Sequence, residues 1–180
     1  IQTLTMIRWQ KQIDEEFREF LINESKKDKN IKERSKRSLR RTRKKIQYLA
    51  AFDADIYIIQ ECENPEQAKG VYEQWYSNLI WKGQNKNKGL AIFAKDHIIL
   101  EQLDWEDHPL ELFLPIRINN TINLLAVWTK QANSPTFAYI GQLWKYLQLH
   151  KNQLADQPSI ICGDWNSNAI WDVWDRWWNH

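Results

Sequence analysis

Two apolar stretches of the sequence each end in side chains that carry oxygen donors. "IYIIQE" ends in Gln60 and Glu61, and "SIICGDWN" ends in Asp164 and Asn166. Carboxylate and amide oxygens suit Mg²⁺, which takes few protein ligands and keeps water positions that a phosphate substrate can occupy. Either stretch alone also fits a core strand followed by ordinary turn residues. The pair predicts a metal and phosphate site whose groups are held at the rigid ends of two buried strands.

Hydrophobic periodicity and turn residues predict the elements that position these groups. Besides the strand before Gly163, we expect strands at Asp53 to Gln60, Gly89 to Lys95, Leu110 to Asn119 and Thr121 to Thr129, with Asn119-Asn120 as a tight turn. Helices are expected around Ile13 to Leu21, from Leu39 to Ala50, from Pro65 to about Tyr76, and after Ser134-Pro135, where an apolar stripe contains Ile140, Leu143, Trp144, Leu147 and Leu154. The order is not a strict strand and helix alternation, which predicts a mixed sheet or a sandwich of sheets with helices outside.

Charge is distributed unevenly along the 180 residues, although the formal net charge is only +2. The segment from Lys26 to Lys45 holds twelve basic and two acidic residues, which leaves a net charge of −8 on the rest of the chain. Such a segment fits contact with nucleic-acid phosphates, and it equally fits a solvated helix face. No stretch has the length or apolarity of a membrane span or a secretory signal, and Cys62 and Cys162 are too few for a disulfide framework. We therefore expect a cytoplasmic protein with two buried thiols and no contact with a membrane.

The order of "DADIYIIQE", "GLAIF" and "GDWN" resembles the endonuclease/exonuclease/phosphatase superfamily from about Lys44 onward. The resemblance implies an α/β (α+β) fold, a partial four-layer α/β-sandwich of mixed sheets flanked by helices. It also implies that Glu61 binds a divalent metal, Mg²⁺ or Mn²⁺. Asp164 would orient or deprotonate the attacking water, and Asn166 would contact the scissile phosphate. Residues 1–45 are expected to form an N-terminal helix and basic segment, and residues 46–180 the superfamily-like domain.

Two further positions follow from their place in the resemblance alone. Lys130 and Tyr139 lie where the superfamily often has a substrate-contacting loop, although "WTKQANSPTFAY" does not match its usual pattern. Tyr139 also fits a packing role beneath the following helix.

The sequence departs from the superfamily pattern at both ends. Gln10 follows Trp9 where a Trp-Asn-type motif is usual, and no Ser-Asp-His motif follows "GDWN", so we expect one sheet to be incomplete. The four histidines do not follow Ser-Asp and are expected at the surface: His97, His108, His150 and His180. Three tryptophans near the end share one face of a short helix, where core packing and base stacking are both open: Trp171, Trp174 and Trp178.

Three functions therefore remain open on the sequence alone. The first is a metal-dependent phosphoesterase, a nuclease that cleaves nucleic-acid phosphodiesters, with DNA favoured over RNA. The second is an inactive remnant of the same fold that binds nucleic acid or a partner. The third is a small-molecule phosphatase of the same superfamily.

Overall fold

The computed structural model of the chain describes residues 46–106, 109–130 and 138–167. The N-terminal helix, the basic segment and the Trp-rich tail lie outside these residues, as do Trp9, Gln10, His108 and His180. Within the described residues, no helix has the length and apolarity needed to cross a membrane. The expected domain boundary at residue 45 stays a prediction.

Strands of the described chain form two sheets. They are β1 (Ile56–Cys62), β2 (Asn78–Asn85), β3 (Lys88–Ala94), β4 (Leu100–Gln102), β5 (Phe113–Ile118), β6 (Ile122–Trp128) and β7 (Ser159–Asp164). The first sheet has the order β1-β3-β2 and is antiparallel. The second sheet has the order β4-β5-β6-β7, in which β7 runs parallel to β6 and the other pairs are antiparallel. The second sheet is therefore mixed, as the sequence predicts.

Helices cover the outer faces of both sheets. They are α1 (residues 46–50), a 3₁₀ turn (Pro65–Ala68), α2 (Lys69–Tyr72), α3 (Ile140–Leu149) and α4 (Lys151–Asp156). Leu49 of α1 and Tyr72 of α2 join a cluster with Tyr57 on the first sheet. Leu143 of α3 packs in a cluster with Leu125 on the second sheet.

The main core lies between the two sheets. Alternate residues of the strands point into it because successive side chains of a strand face opposite sides, as Ile58, Ile92 and Leu124 do here. The layers are helix, sheet, sheet and helix. This arrangement confirms the predicted α/β-sandwich.

Local sequence signals locate several elements well. The Asn119-Asn120 turn is confirmed between the paired residues Ile118 and Ile122, with φ of 48° and 57°, left-handed values that Asn tolerates. The expected strand from Asp53 begins only at Ile56, because Asp53 adopts φ 45° and pairs with Lys95. The helix after Pro65 is also shorter than expected, since its last residue is Tyr72.

The segment after β6 corrects two expectations. Trp144 was expected on the apolar stripe, yet its side chain is 47% exposed, and Leu143 and Tyr146 form the buried face instead. His150 was expected at the surface but is only 2% exposed, between α3 and α4. Its Nε2 donates to the carbonyl oxygen of Glu106 at 2.6 Å. The ring stacks on Trp105, which explains the burial.

Candidate functional site

The two sheets are joined near one edge of the sandwich by a lysine. Lys82 Nζ donates to the carbonyl oxygen of Phe113 at 3.0 Å, from β2 across to β5. In the first sheet Lys82 pairs with Leu90, and the adjacent Gly89 pairs with Cys62. The end of β1 therefore lies at the edge that contains Phe113.

Strands β6 and β7 end at this same edge. Phe113 pairs with Val127, and Val127 pairs with Gly163 in the parallel strand β7. Strand β7 also packs against β1. Glu61 and Asp164 consequently lie at one edge of the sandwich, which we call the site edge.

Gly163 allows β7 to approach β6 closely just before Asp164. Its φ is +142°, and a Cβ at this position would lie 1.8 Å from the carbonyl oxygen of Val127. Only glycine fits both the backbone conformation and the space. The next residue is held by Thr129, whose backbone N–H donates to the Asp164 carbonyl oxygen at 3.0 Å.

Asp164 and Asn166 form a tight turn that fixes both side chains. The backbone N–H of Asn166 donates to Asp164 Oδ1 at 2.9 Å. Asn166 Nδ2 donates to the carbonyl oxygen of Thr129 at 2.8 Å, and its backbone adopts φ 48°. This amide keeps its Oδ1 and a second Nδ2 hydrogen for another partner. Carboxylate and amide are therefore held at the site edge by Thr129, the residue after β6.

Lys130 and Tyr139 join the same network from the side of helix α3. The Tyr139 N–H donates to the Lys130 carbonyl oxygen at 2.8 Å, and the Lys130 N–H donates to Gln142 Oε1 at 3.4 Å. Lys130 Nζ lies 4.7 Å from the ring centroid of Trp128. The Tyr139 ring is 41% exposed, and its backbone has φ 49° and ψ −116°. The structure thus connects Asp164, Asn166, Lys130 and Tyr139 through residues 129 and 130.

Glu61 lies at the end of β1, where the register with β3 shifts between Ile59 and Cys62. Its φ is 55°, and its carboxylate forms an ion pair with Lys88 at 2.8 Å. The two side chains are 59% and 55% exposed. A cation, the Lys88 ammonium, therefore already lies against this carboxylate.

The family of the chain follows from its sequence. A model of the endonuclease/exonuclease/phosphatase family matches residues 32–180. The chain belongs to this family. No curated protein matches the sequence.

Solved structures with the same fold show how much of a family member the chain covers. TDP2 from C. elegans superposes with a TM-score of 0.56 at 15% identity, over 73% of this chain and 44% of that protein. TDP2 from D. rerio, complexed with a single-strand DNA product, gives 0.52 at 17% identity, over 72% and 55%. A 3'-5' exonuclease from Neisseria meningitidis gives 0.51 at 20% identity, over 76% and 57%. The chain spans about half the length of these structures, and at such identities the likeness establishes the fold.

Members of the family generally depend on a divalent metal, and the site edge offers donors that fit one. Gln60 is 5% exposed, and its Oε1 has no hydrogen-bond partner among the described residues. The described residues contain no group of three or more His, Cys, Asp and Glu side chains that could hold a metal. Mg²⁺ needs only one or two carboxylates beside water and phosphate, so Glu61, Asp164 and the free oxygen of Gln60 fit its chemistry.

Cys162 lies in the core behind this site and offers no alternative nucleophile. Burial raises the pKa of its thiol to about 12, so that the thiol stays protonated at neutral pH. Both cysteines are buried, as the sequence predicts.

The sequence did not predict the residues that contact the candidate site residues. Lys88 follows Glu61 by 27 positions, and Gln142 reaches Lys130 from a helix. No local pattern marks either contact. Trp165, inside "GDWN", is 40% exposed although it follows a strand of the core. Its position between Asp164 and Asn166 is the sequence feature that could have marked Trp165 as a site residue.

Proposed function

We propose that the chain is a divalent-metal-dependent phosphodiesterase that hydrolyses nucleic-acid strands, DNA more than RNA. The observation that carries the proposal is the Asp164–Asn166 turn, fixed by Thr129 at the same edge of the sandwich as Glu61. Carboxylates and amides held by strand ends are suited to positioning water and phosphate. We also propose a cytoplasmic location, because two cysteines are too few for the disulfide framework that small secreted domains use.

Each residue of the site would have a distinct part in hydrolysis. Asp164 would orient the attacking water and accept its proton. Asn166 would donate its second Nδ2 hydrogen to a non-bridging phosphate oxygen, and Lys130 would add positive charge at the same side. Glu61 and Gln60 Oε1 would hold Mg²⁺ or Mn²⁺, which would supply Lewis-acid stabilisation of the negative charge on the phosphate oxygens.

A nucleic acid is the proposed substrate because cations lie along the site edge. Lys88 begins β3 and Lys130 follows β6, so two lysines from different strands lie at the site edge, which suits a polyanion better than a single phosphate group. The D. rerio TDP2 structure with a single-strand DNA product supports DNA as the first substrate to test.

A second candidate function is nucleic-acid binding without turnover. The Glu61–Lys88 ion pair favours it, because the Lys88 ammonium contacts the Glu61 carboxylate, which would have to be free to bind a metal ion. In that case the chain would bind DNA with salt-sensitive affinity and cleave nothing.

The test is hydrolysis of plasmid DNA, abasic DNA and bis(4-nitrophenyl) phosphate, with Mg²⁺ or Mn²⁺ and with a chelator. We expect cleavage only with metal, and a loss of kcat of about 10²–10⁴ in Asp164→Ala, as for removal of a general base. Asp156→Ala is the matched control, because Asp156 is an exposed carboxylate in α4 just before β7. Absence of metal-dependent hydrolysis of all three substrates, together with DNA binding, would establish the second candidate instead. Hydrolysis restricted to small phosphate esters would identify a small-molecule phosphatase.

A further inference from the structure

Trp165 is an exposed indole directly between the two candidate catalytic side chains. It separates Asp164 from Asn166 in the chain, and 40% of its surface is exposed. Consecutive Cα atoms are about 3.8 Å apart, so the ring is anchored one residue from each of these groups. A ligand that binds at both Asp164 and Asn166 would therefore have this exposed indole within reach.

Cationic and aromatic groups flank the same position. Asn166 binds the Thr129 carbonyl oxygen, whereas Tyr139 binds the carbonyl oxygen of Lys130. The segments that carry Trp165 and Tyr139, both exposed, therefore meet at residues 129 and 130. Lys130 Nζ lies over the Trp128 ring. A lysine close to exposed aromatic side chains, here Trp165 and Tyr139, is a combination suited to binding single-stranded nucleic acid.

We propose that Trp165 stacks on an unpaired base next to the scissile phosphate, so that the substrate is a single-stranded or locally unpaired nucleic acid. The inference rests on the proposed function, because it takes the phosphate to be at Asp164 and Asn166. One sugar separates a base from its phosphate, which matches a ring one residue away from the phosphate-binding groups. Inside a duplex both faces of a base are covered by its neighbours, and the Trp165 ring could reach only a terminal or extruded base.

The test compares two single-stranded oligonucleotides that differ only in their bases. One carries bases throughout, and the other has abasic tetrahydrofuran residues on both sides of the cleavable bond. Trp165→Leu keeps apolar volume without an aromatic face, and we expect it to lower kcat/KM about 5- to 150-fold on the first and less than twofold on the second. Trp165→Phe should retain most of the wild-type rate. Trp144→Leu is the matched control, since Trp144 is also exposed but lies on α3, and it should change neither rate.

Equal losses on the base-bearing and abasic strands would show that Trp165 supports the fold, and would overturn the inference. Wild-type rates that do not differ between the two strands, or that favour duplex, would overturn it while leaving the proposed function intact. Fluorescence anisotropy of the same labelled strands makes the test independent of turnover. If no strand is cleaved, the proposed function fails, while a base-dependent affinity lost in Trp165→Leu would still support stacking, and its absence would reject stacking.

Discussion

Replacement of Gly163 by alanine should destabilise the junction that holds Asp164. The added Cβ would lie 1.8 Å from the carbonyl oxygen of Val127 and 2.7 Å from its carbonyl carbon, so β6 and β7 would have to separate. Inserting a methyl group into a packed interior costs about 1–3 kcal/mol, and a side chain in a glycine-only backbone region costs about 1–3 kcal/mol more. With φ at +142°, both penalties apply. We expect the free energy of unfolding to fall by about 2–6 kcal/mol.

Urea denaturation followed by circular dichroism measures this loss. Gly70→Ala is the matched control, because Gly70 lies in α2 and a Cβ there would meet nothing within 4 Å. Alanine is the better helix former, so this variant should be as stable as the wild type or slightly more stable. A fall of less than 1 kcal/mol in Gly163→Ala would mean that the strands do not approach as described, and the position assigned to Asp164 would then be wrong. Where the variant still folds, a shift of Asp164 by about 1 Å should lower activity by up to about 100-fold.

Two further predictions concern Glu61 and Cys162. Lys88→Ala removes the ammonium from Glu61. Because both side chains are more than half exposed, the ion pair is worth only about 0–1 kcal/mol, and the Kd for Mn²⁺ measured by calorimetry should fall by up to about fivefold. The control Lys86→Ala, in the same hairpin, should change this Kd less. A rise in the Kd in Lys88→Ala would contradict the prediction, because removal of a competing cation from Glu61 cannot weaken metal binding at that carboxylate. Burial raises the pKa of the Cys162 thiol from 9.0 to about 12. Between these pH values only the unfolded thiol ionises, so the free energy of unfolding should decrease from pH 9 to pH 12. The contribution of the thiol to stability is fully present below pH 9. Cys162→Ala should have a shallower decrease over that range, and an identical slope would contradict the assignment.

Local signals predicted the parts of the fold that depend on neighbouring residues. The Asn119-Asn120 turn and the strands on either side of it follow from residue types alone, since Asn tolerates left-handed φ. Strand β2 was not predicted, because its side chains from Asn78 to Gly83 are half-buried and show no clean alternation of apolar and polar residues. Tertiary pairing with β3 makes it a strand.

The candidate site was also predicted only in part: the chemical groups were predicted, and their partners were not. The types of Glu61, Asp164 and Asn166 could be recognised because each follows an apolar run in the sequence. Their partners could not, since Lys88 and Thr129 reach them from strands that are distant in the sequence. The same limit explains His150, whose burial depends on Trp105, 45 positions earlier in the sequence. Short motifs therefore predict chemical groups, and the packing of the sheets decides what each group contacts.

Positive φ is found at three of the site residues and also at the core residue Leu112, whose φ is 59°. Glu61, Tyr139 and Asn166 all adopt positive φ, and only Asn does so at little cost. For Glu61 and Tyr139 the conformation costs about 1–3 kcal/mol each, which the surrounding structure must offset. Neither side chain is buried, so core packing does not explain why these positions carry strain. Strained residues occur at binding and catalytic sites, but Leu112 and Asp53 also adopt positive φ, so the contacts of Glu61, Asp164 and Asn166 carry the assignment of the site and strain alone does not.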